Sequence, residues 1–196
     1  MPIARHIIAA LVTNEPGVLA QVAGMFAARG FNIDSLVVGR TENPELSRMT
    51  IVVNGDKATL EQCRKQLQKL VPVVKVVDYE DVPFVERDLV LITVSSKDAN
   101  ASGGDALRDL RQPIVALCDL FRGKVVDVSP DRLMIELAGT EEKLEAFVEL
   151  LQPYGIVELA RTGVIAMPRG MPSPLRRRAM PELAGSTIDA ADLPPG

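Results

Sequence analysis

The chain has 196 residues, 47% of them apolar and 24% charged, with a net charge of −4. That length can bury a real core in one or two domains, and the composition is globular, not disordered. The negative balance excludes a general attraction for nucleic acid or anionic membrane, and no apolar run approaches the roughly 20 residues that cross a bilayer. The first residues, MPIARH, begin a strand and lack the long apolar core of a signal peptide, so a reducing cytoplasm is the expected setting. Residues 3–12 read as a strand that is apolar on both faces. Pro16 and Gly17 break it. Proline suits a first helical turn, and Val18, Leu19, Val22, Ala23, Phe26 and Ala27 then recur at helical spacing, which predicts a helix over 17–29. Gly30 stands where a left-handed helix stop is wanted. The start of such a helix offers unpaired N–H groups and a partial positive charge, suited to an anion such as a carboxylate. Gly17 leaves the backbone open there, and Asn14 adds a donor and an acceptor. On spacing alone, an ordinary strand-to-helix turn is the commoner reading of this stretch.

Further along, residues 31–40 alternate as a strand with a shift of phase near Ser35. Thr41 to Glu45 is a turn containing Pro44, and residues 46–54 (LSRMTIVVN) form the next strand. Asn54-Gly55-Asp56 opens a helix marked by Leu60, Cys63, Leu67 and Leu70 and ended by Pro72. A strand over 73–79 closes a βαββαβ unit near residue 80. The acidic group Asp78, Glu80 and Asp81 reads as a solvated linker. The order then repeats. Residues 87–95 (RDLVLITVS) are a strand. Leu107, Leu110, Ile114, Leu117, Cys118 and Phe121 are spaced helically, but Pro113 lies among them, so either the helix kinks there or a new one starts there. Strands over 124–128 and 132–137 flank the turn Ser129-Pro130-Asp131. A helix follows at Leu144, Phe147, Val148 and Leu151, ended by Pro153, and then a strand over 155–166 broken at Gly163. Two such units imply an α+β chain of two ferredoxin-like domains, residues 1–82 and 83–167, each an antiparallel sheet under two helices. Residues 168–196 are rich in Pro, Gly, Ala and Arg without a sustained period and are expected to be a disordered tail. Within them, Leu175-Arg176-Arg177-Arg178 reads as a solvated charge run.

Catalytic patterns are missing. His6 is the one histidine, and no nucleophile relay assembles around it. There is no CxxC or HExxH for zinc and no phosphate loop or GxGxxG after a strand. Cys63 and Cys118 fall at apolar helix positions, which suits buried thiols better than a disulfide or metal ligands. Many RNA-binding domains share the βαββαβ order but carry aromatic residues on the central strands; HIIAALV and LSRMTIVV carry none. A small ferredoxin-like enzyme acting on acyl phosphates needs an arginine in the loop after the first strand, and TNEPGVLAQ lacks one.

The stretch NEPGVLAQVAGMFAARGFNIDSLVVG followed by LSRMTIVV resembles the ACT domain of the small regulatory subunits of acetolactate synthase (acetohydroxyacid synthase). The resemblance continues through LEQCRKQLQKLVPVVKV, VERDLVLITV and FRGKVVDVSPDRLMIELAGTEEKLEAFVELLQPYGIVELARTGVIAM, so it spans about residues 3–167. Residues 96–113 depart from the family pattern, being longer, with Gly103-Gly104 and the internal proline. The resemblance implies a non-catalytic chain of branched-chain amino acid biosynthesis. Such a chain activates the catalytic subunit and confers feedback inhibition by valine or a related amino acid. It implies no cofactor here; thiamine diphosphate, magnesium and FAD belong to the catalytic subunit. It also implies a homodimer through the ACT domains, with residues 1–82 binding effector at the seam. The effector contacts then map onto Asn14, Gly17, Val18 and Leu19 of one chain and Asn32 and Ile33 of its partner. No nucleic-acid or membrane partner is implied. A free-standing ACT-type sensor of some other enzyme is the alternative, and the second unit together with the LSRMT strand argues against it.

Overall fold

The computed structural model describes residues 4–80, 82–96 and 110–170. The first unit runs β1 (Ala4–Thr13), α1 (Val18–Ala27), β2 (Ser35–Arg40), β3 (Leu46–Gly55), α2 (Lys57–Leu67) and β4 (Val73–Asp78). Its sheet has the order β2-β3-β1-β4 and is antiparallel throughout. The second unit repeats this with β5 (Phe84–Ser95), α3 (Arg111–Leu120), β6 (Lys124–Val128), β7 (Arg132–Gly139), α4 (Glu141–Leu151) and β8 (Ile156–Arg161), in the order β6-β7-β5-β8. Both ferredoxin-like units are therefore present, in an α+β fold.

Strand side chains alternate between faces. On β1, Ile8, Ala10 and Val12 face the helices and join Val22, Phe26, Leu60 and Leu67 in the first core. On β5, Val90, Ile92 and Val94 join Ile114, Leu144, Phe147 and Leu151 in the second. Burying each large apolar side chain stabilises by about 1.5–3 kcal/mol, so these two interiors dominate the fold. Asp56 caps α2 by accepting a hydrogen bond from Thr59 N–H at 2.8 Å, the capping role expected of an aspartate. The Thr59 hydroxyl, and then that N–H, hold the Asp56 carboxyl below its ordinary pKa.

Several sequence expectations change at their edges. The first helix does not include Pro16 and Gly17. Gly17 has φ +86°, a left-handed backbone that cannot continue a right-handed helix, so the helix begins at Val18 and Pro16 lies in the turn ahead of it. Gly30, at φ +68°, supplies the expected stop. The second strand starts at Ser35, where the phase shifts, leaving 31–34 as loop. At Pro113 a new helix starts: α3 begins at Arg111, and a proline in the first turn removes an N–H that has no helical partner anyway. Residues 97–109, most of the departing region, and residues 171–196, most of the expected tail, lie outside the described residues. So does Asp81.

The largest difference lies between the units. The strand expected over 87–95 starts at Phe84, and the one expected over 155–166 is two strands, β8 and β9 (Ile165–Pro168). β9 leaves the β8 ladder and pairs with the first residues of β5, Phe84 to Arg87. It thereby crosses the face of the first sheet that the helices leave bare. Val164 and Ala166 join Ile7, Ala9, Leu11, Val52, Val77 and Tyr79 in a third core. Gly163 has φ +85°, and a Cβ there would stand 2.8 Å from both Ser35 Oγ and Val37 Cγ2, so the turn into β9 lies directly on β2. Val164 N–H donates to Ser35 Oγ at 3.3 Å. Arg5 adds ion pairs across the junction, to Glu86 at 3.0 Å and Glu141 at 2.6 Å.

Candidate functional site

The loop between β1 and α1 is built around Gly17. Its positive φ turns the chain so that the start of α1 faces outward, and no side chain caps that start. The first regular helical bond runs from Gln21 N–H to Gly17 O at 3.0 Å; Val18 N–H reaches only Glu15 O, at 3.5 Å. The amides of Leu19 and Ala20 make no backbone hydrogen bond. The first turn also has no acidic side chain to occupy the positive end of the helix. The amides of Leu19 and Ala20 therefore remain for an anion at a site of favourable potential, with that of Val18 only weakly engaged.

Asn14 flanks these amides. Its Nδ2 donates to Pro44 O at 3.0 Å, and its Oδ1 accepts from Ser47 Oγ at 3.2 Å. The side chain thus ties the loop to the turn that leads into β3 and to the first residues of β3 itself. Val18 is buried in the first core, so its side chain leaves little surface to the loop. Leu19 is 47% exposed and does present apolar surface. A cleft of about 230 Å³ opens beside the helix start, lined by Thr13, Glu15, Pro16, Val18, Gln21, Val71 and Pro72. Thr13 Oγ1 is buried there without a hydrogen-bond partner. Sequence reading missed Thr13, Ser47, Val71 and Pro72, because nothing local ties them to the loop; only the antiparallel β1–β3 and β1–β4 pairings bring them together.

Asn32 and Ile33 lie elsewhere in the same chain. They follow Gly30 beyond the C-terminal end of α1, a helix of 10 residues, so roughly 15 Å of helix separates them from Gly17. Asn32 is exposed and Ile33 packs partly on the first core. One chain brings Asn14, Gly17, Val18 and Leu19 together and leaves Asn32 and Ile33 apart from them.

Among the described residues no group of three or more His, Cys, Asp or Glu side chains is arranged to hold a metal ion, and no helix is long and apolar enough to cross a membrane. His6 sits half-buried on β1. Cys63 and Cys118 are free and buried. Burial pushes the Cys63 thiol up to about 11, and burial together with Asp119 raises that of Cys118. The thiolate is the reactive form. We therefore expect iodoacetamide near neutral pH to leave both cysteines unmodified in the native chain and to modify both in strong denaturant. Rapid native labelling of either one, read by mass spectrometry, would contradict this packing.

Comparison with known proteins gives one consistent result. Residues 8–75 match the model described as the AHAS small subunit-like ACT domain, and residues 87–170 match that of the small subunit of acetolactate synthase. A probable acetolactate synthase small subunit of Archaeoglobus fulgidus is 51% identical over 166 residues, covering 85% of this chain and 98% of that one. The acetolactate synthase small subunit of Aquifex aeolicus is 48% identical over 167 residues, covering 85% of this chain and 82% of the relative. Among solved structures, the small subunit from Thermotoga maritima aligns with a TM-score of 0.76 at 44% identity, covering 87% of this chain and all of that one.

Proposed function

The chain belongs to the family of acetolactate synthase small subunits, and from that premise we propose that it is a regulatory subunit that both activates its catalytic partner and senses a branched-chain amino acid. The observation that carries the sensing role is the uncapped start of α1. Free amides and a positive helix end suit the effector's carboxylate. In this reading Gly17, Val18 and Leu19 take the carboxylate through their backbone, and Asn14 takes a polar end. Leu19 and the adjoining cleft accept a branched side chain. Asn32 and Ile33 complete the site from a second copy, paired side by side through the ACT domains; their distance from Gly17 within one chain supports a contribution in trans. Valine or a related branched-chain amino acid is the proposed effector. Thiamine diphosphate, magnesium and FAD are assigned to the catalytic subunit, and the cytoplasm is the proposed compartment.

Reconstitution tests the subunit role. The purified chain alone is expected to form no acetolactate, and mixing it with the catalytic subunit is expected to raise that subunit's rate. Turnover by the isolated chain, or a mixture no faster than the catalytic subunit alone, would overturn it.

A further inference from the structure

Two contacts with opposite directions meet at the start of β3. Ser47 and Arg48 are consecutive, so their side chains leave the sheet on opposite faces. Ser47 Oγ holds Asn14 Oδ1 at 3.2 Å, on the side of the candidate effector loop. Arg48 lies opposite Leu11 in the register, on the face that β9 covers. Its Nη2 donates to Tyr79 Oη at 2.5 Å and to Ala166 O at 2.6 Å. Tyr79 Oη–H is also 3.3 Å from Ala166 O. Ala166 pairs with Glu86 on β5, the central strand that continues into the second core.

We propose that β3 carries the state of the amino-acid loop into the second unit, with Arg48 as the positioning residue that links it to β9. The proposal rests on the site reading given above and adds its route of regulation. In the chain as described, the Asn14 amide is engaged by Pro44 O and Ser47 Oγ. A ligand carboxylate that accepts from Asn14 Nδ2 competes with Pro44 O, and a ligand ammonium that donates to Asn14 Oδ1 competes with Ser47 Oγ. Releasing them removes the side-chain restraint on Ser47 at the start of β3, a strand otherwise held by β1 and β2, and a shift of Ser47 is passed to its neighbour Arg48. The guanidinium fork converts that movement into a pull on Ala166, because donors on a charged group make the stronger hydrogen bonds. Val164 N–H to Ser35 Oγ also crosses the junction, but it reaches β2 and not the start of β3. The Arg5 ion pairs are partly exposed, where such pairs contribute little. Coupling between two sites typically changes the response by 5- to 150-fold.

The test uses the full-length chain with its catalytic subunit and valine as probe. Valine binding is followed by calorimetry and inhibition by initial rates, for wild type, Arg48→Met and Arg48→Lys. Arg48→Met is expected to bind valine within about threefold of wild type while inhibition at saturating valine falls to less than half. Arg48→Lys keeps a donor and is expected to fall between them. A purely structural role for Arg48 would weaken binding and inhibition together, which would overturn the proposal. So would unchanged inhibition at unchanged binding. If Arg48→Met does not fold, Tyr79→Phe decides: it removes one hydroxyl, keeps the ring, and is expected to weaken inhibition with binding retained, whereas wild-type inhibition would overturn the route. A wild-type chain that binds no valine at all overturns the site reading itself, and the route with it.

Discussion

Gly17→Asp is expected to abolish feedback inhibition by valine while activation of the catalytic subunit survives. The aspartate carboxylate would stand beside the amides that the ligand carboxylate needs. Two unit charges about 4 Å apart repel by about 4 kcal/mol at an effective dielectric near 20. Even half of that weakens binding by more than tenfold. The fold should tolerate the change. A Cβ at residue 17 meets nothing within 4 Å, and aspartate is a favoured residue at a helix start. The left-handed backbone there costs about 1–2 kcal/mol for a side chain, small beside the loss of ligand affinity and shared by an alanine control. Gly17→Ala should therefore keep far more inhibition than Gly17→Asp, which separates charge from backbone strain. An inhibition curve for Gly17→Asp that overlays wild type would place the effector elsewhere.

The second large effect is expected at Gly163. An alanine there needs a left-handed backbone, worth about 1–2 kcal/mol, and pushes its Cβ to 2.8 Å from Ser35 Oγ and Val37 Cγ2. Serine can turn away, but valine is stiff at χ1 and stands in a paired strand. Overpacking of this kind typically costs about 1–3 kcal/mol. The sum, about 2–5 kcal/mol, lowers the melting temperature by about 4–20 °C for a chain of this size. Gly163→Val should be worse. A melting temperature within a degree of wild type would mean that the turn into β9 does not rest on β2. The same geometry bears on truncation. A fragment ending near residue 85 lacks Val164 and Ala166, so Ile7, Ala9 and Leu11 lose their cover.

Most of this fold is legible in the sequence because its main signals are local. The apolar runs of β1, β3 and β5, helical spacing on α1, α2 and α4, and the left-handed stop at Gly30 each follow from a few neighbouring residues. β9 is not legible in that way. Val164, Ile165, Ala166 and Met167 are all apolar, so no alternation reveals which face is buried. The partners of β9 are about 80 residues away, on β5, and its cover lies on another unit. The start of α1 was misplaced for a different reason. Pro16 fits a first helical turn, but the positive φ of Gly17 can be learned only from the turn itself. In the site, Asn14 and Gly17 declared themselves by their chemistry. Val18 entered the site only through the resemblance, and the burial of its side chain depends on how α1 sits on the sheet. Pro113 left two options open, and its place in the first turn of α3 decides between them.

The central claim is that the loop opened by Gly17 binds a branched-chain amino acid. Titrating valine into the full-length wild-type chain by calorimetry, beside Gly17→Asp at the same concentration, tests it most directly. The account predicts saturable heat for wild type and none for a folded Gly17→Asp chain. Equal binding by both would contradict it, as would a wild-type chain that releases no heat with valine, leucine or isoleucine.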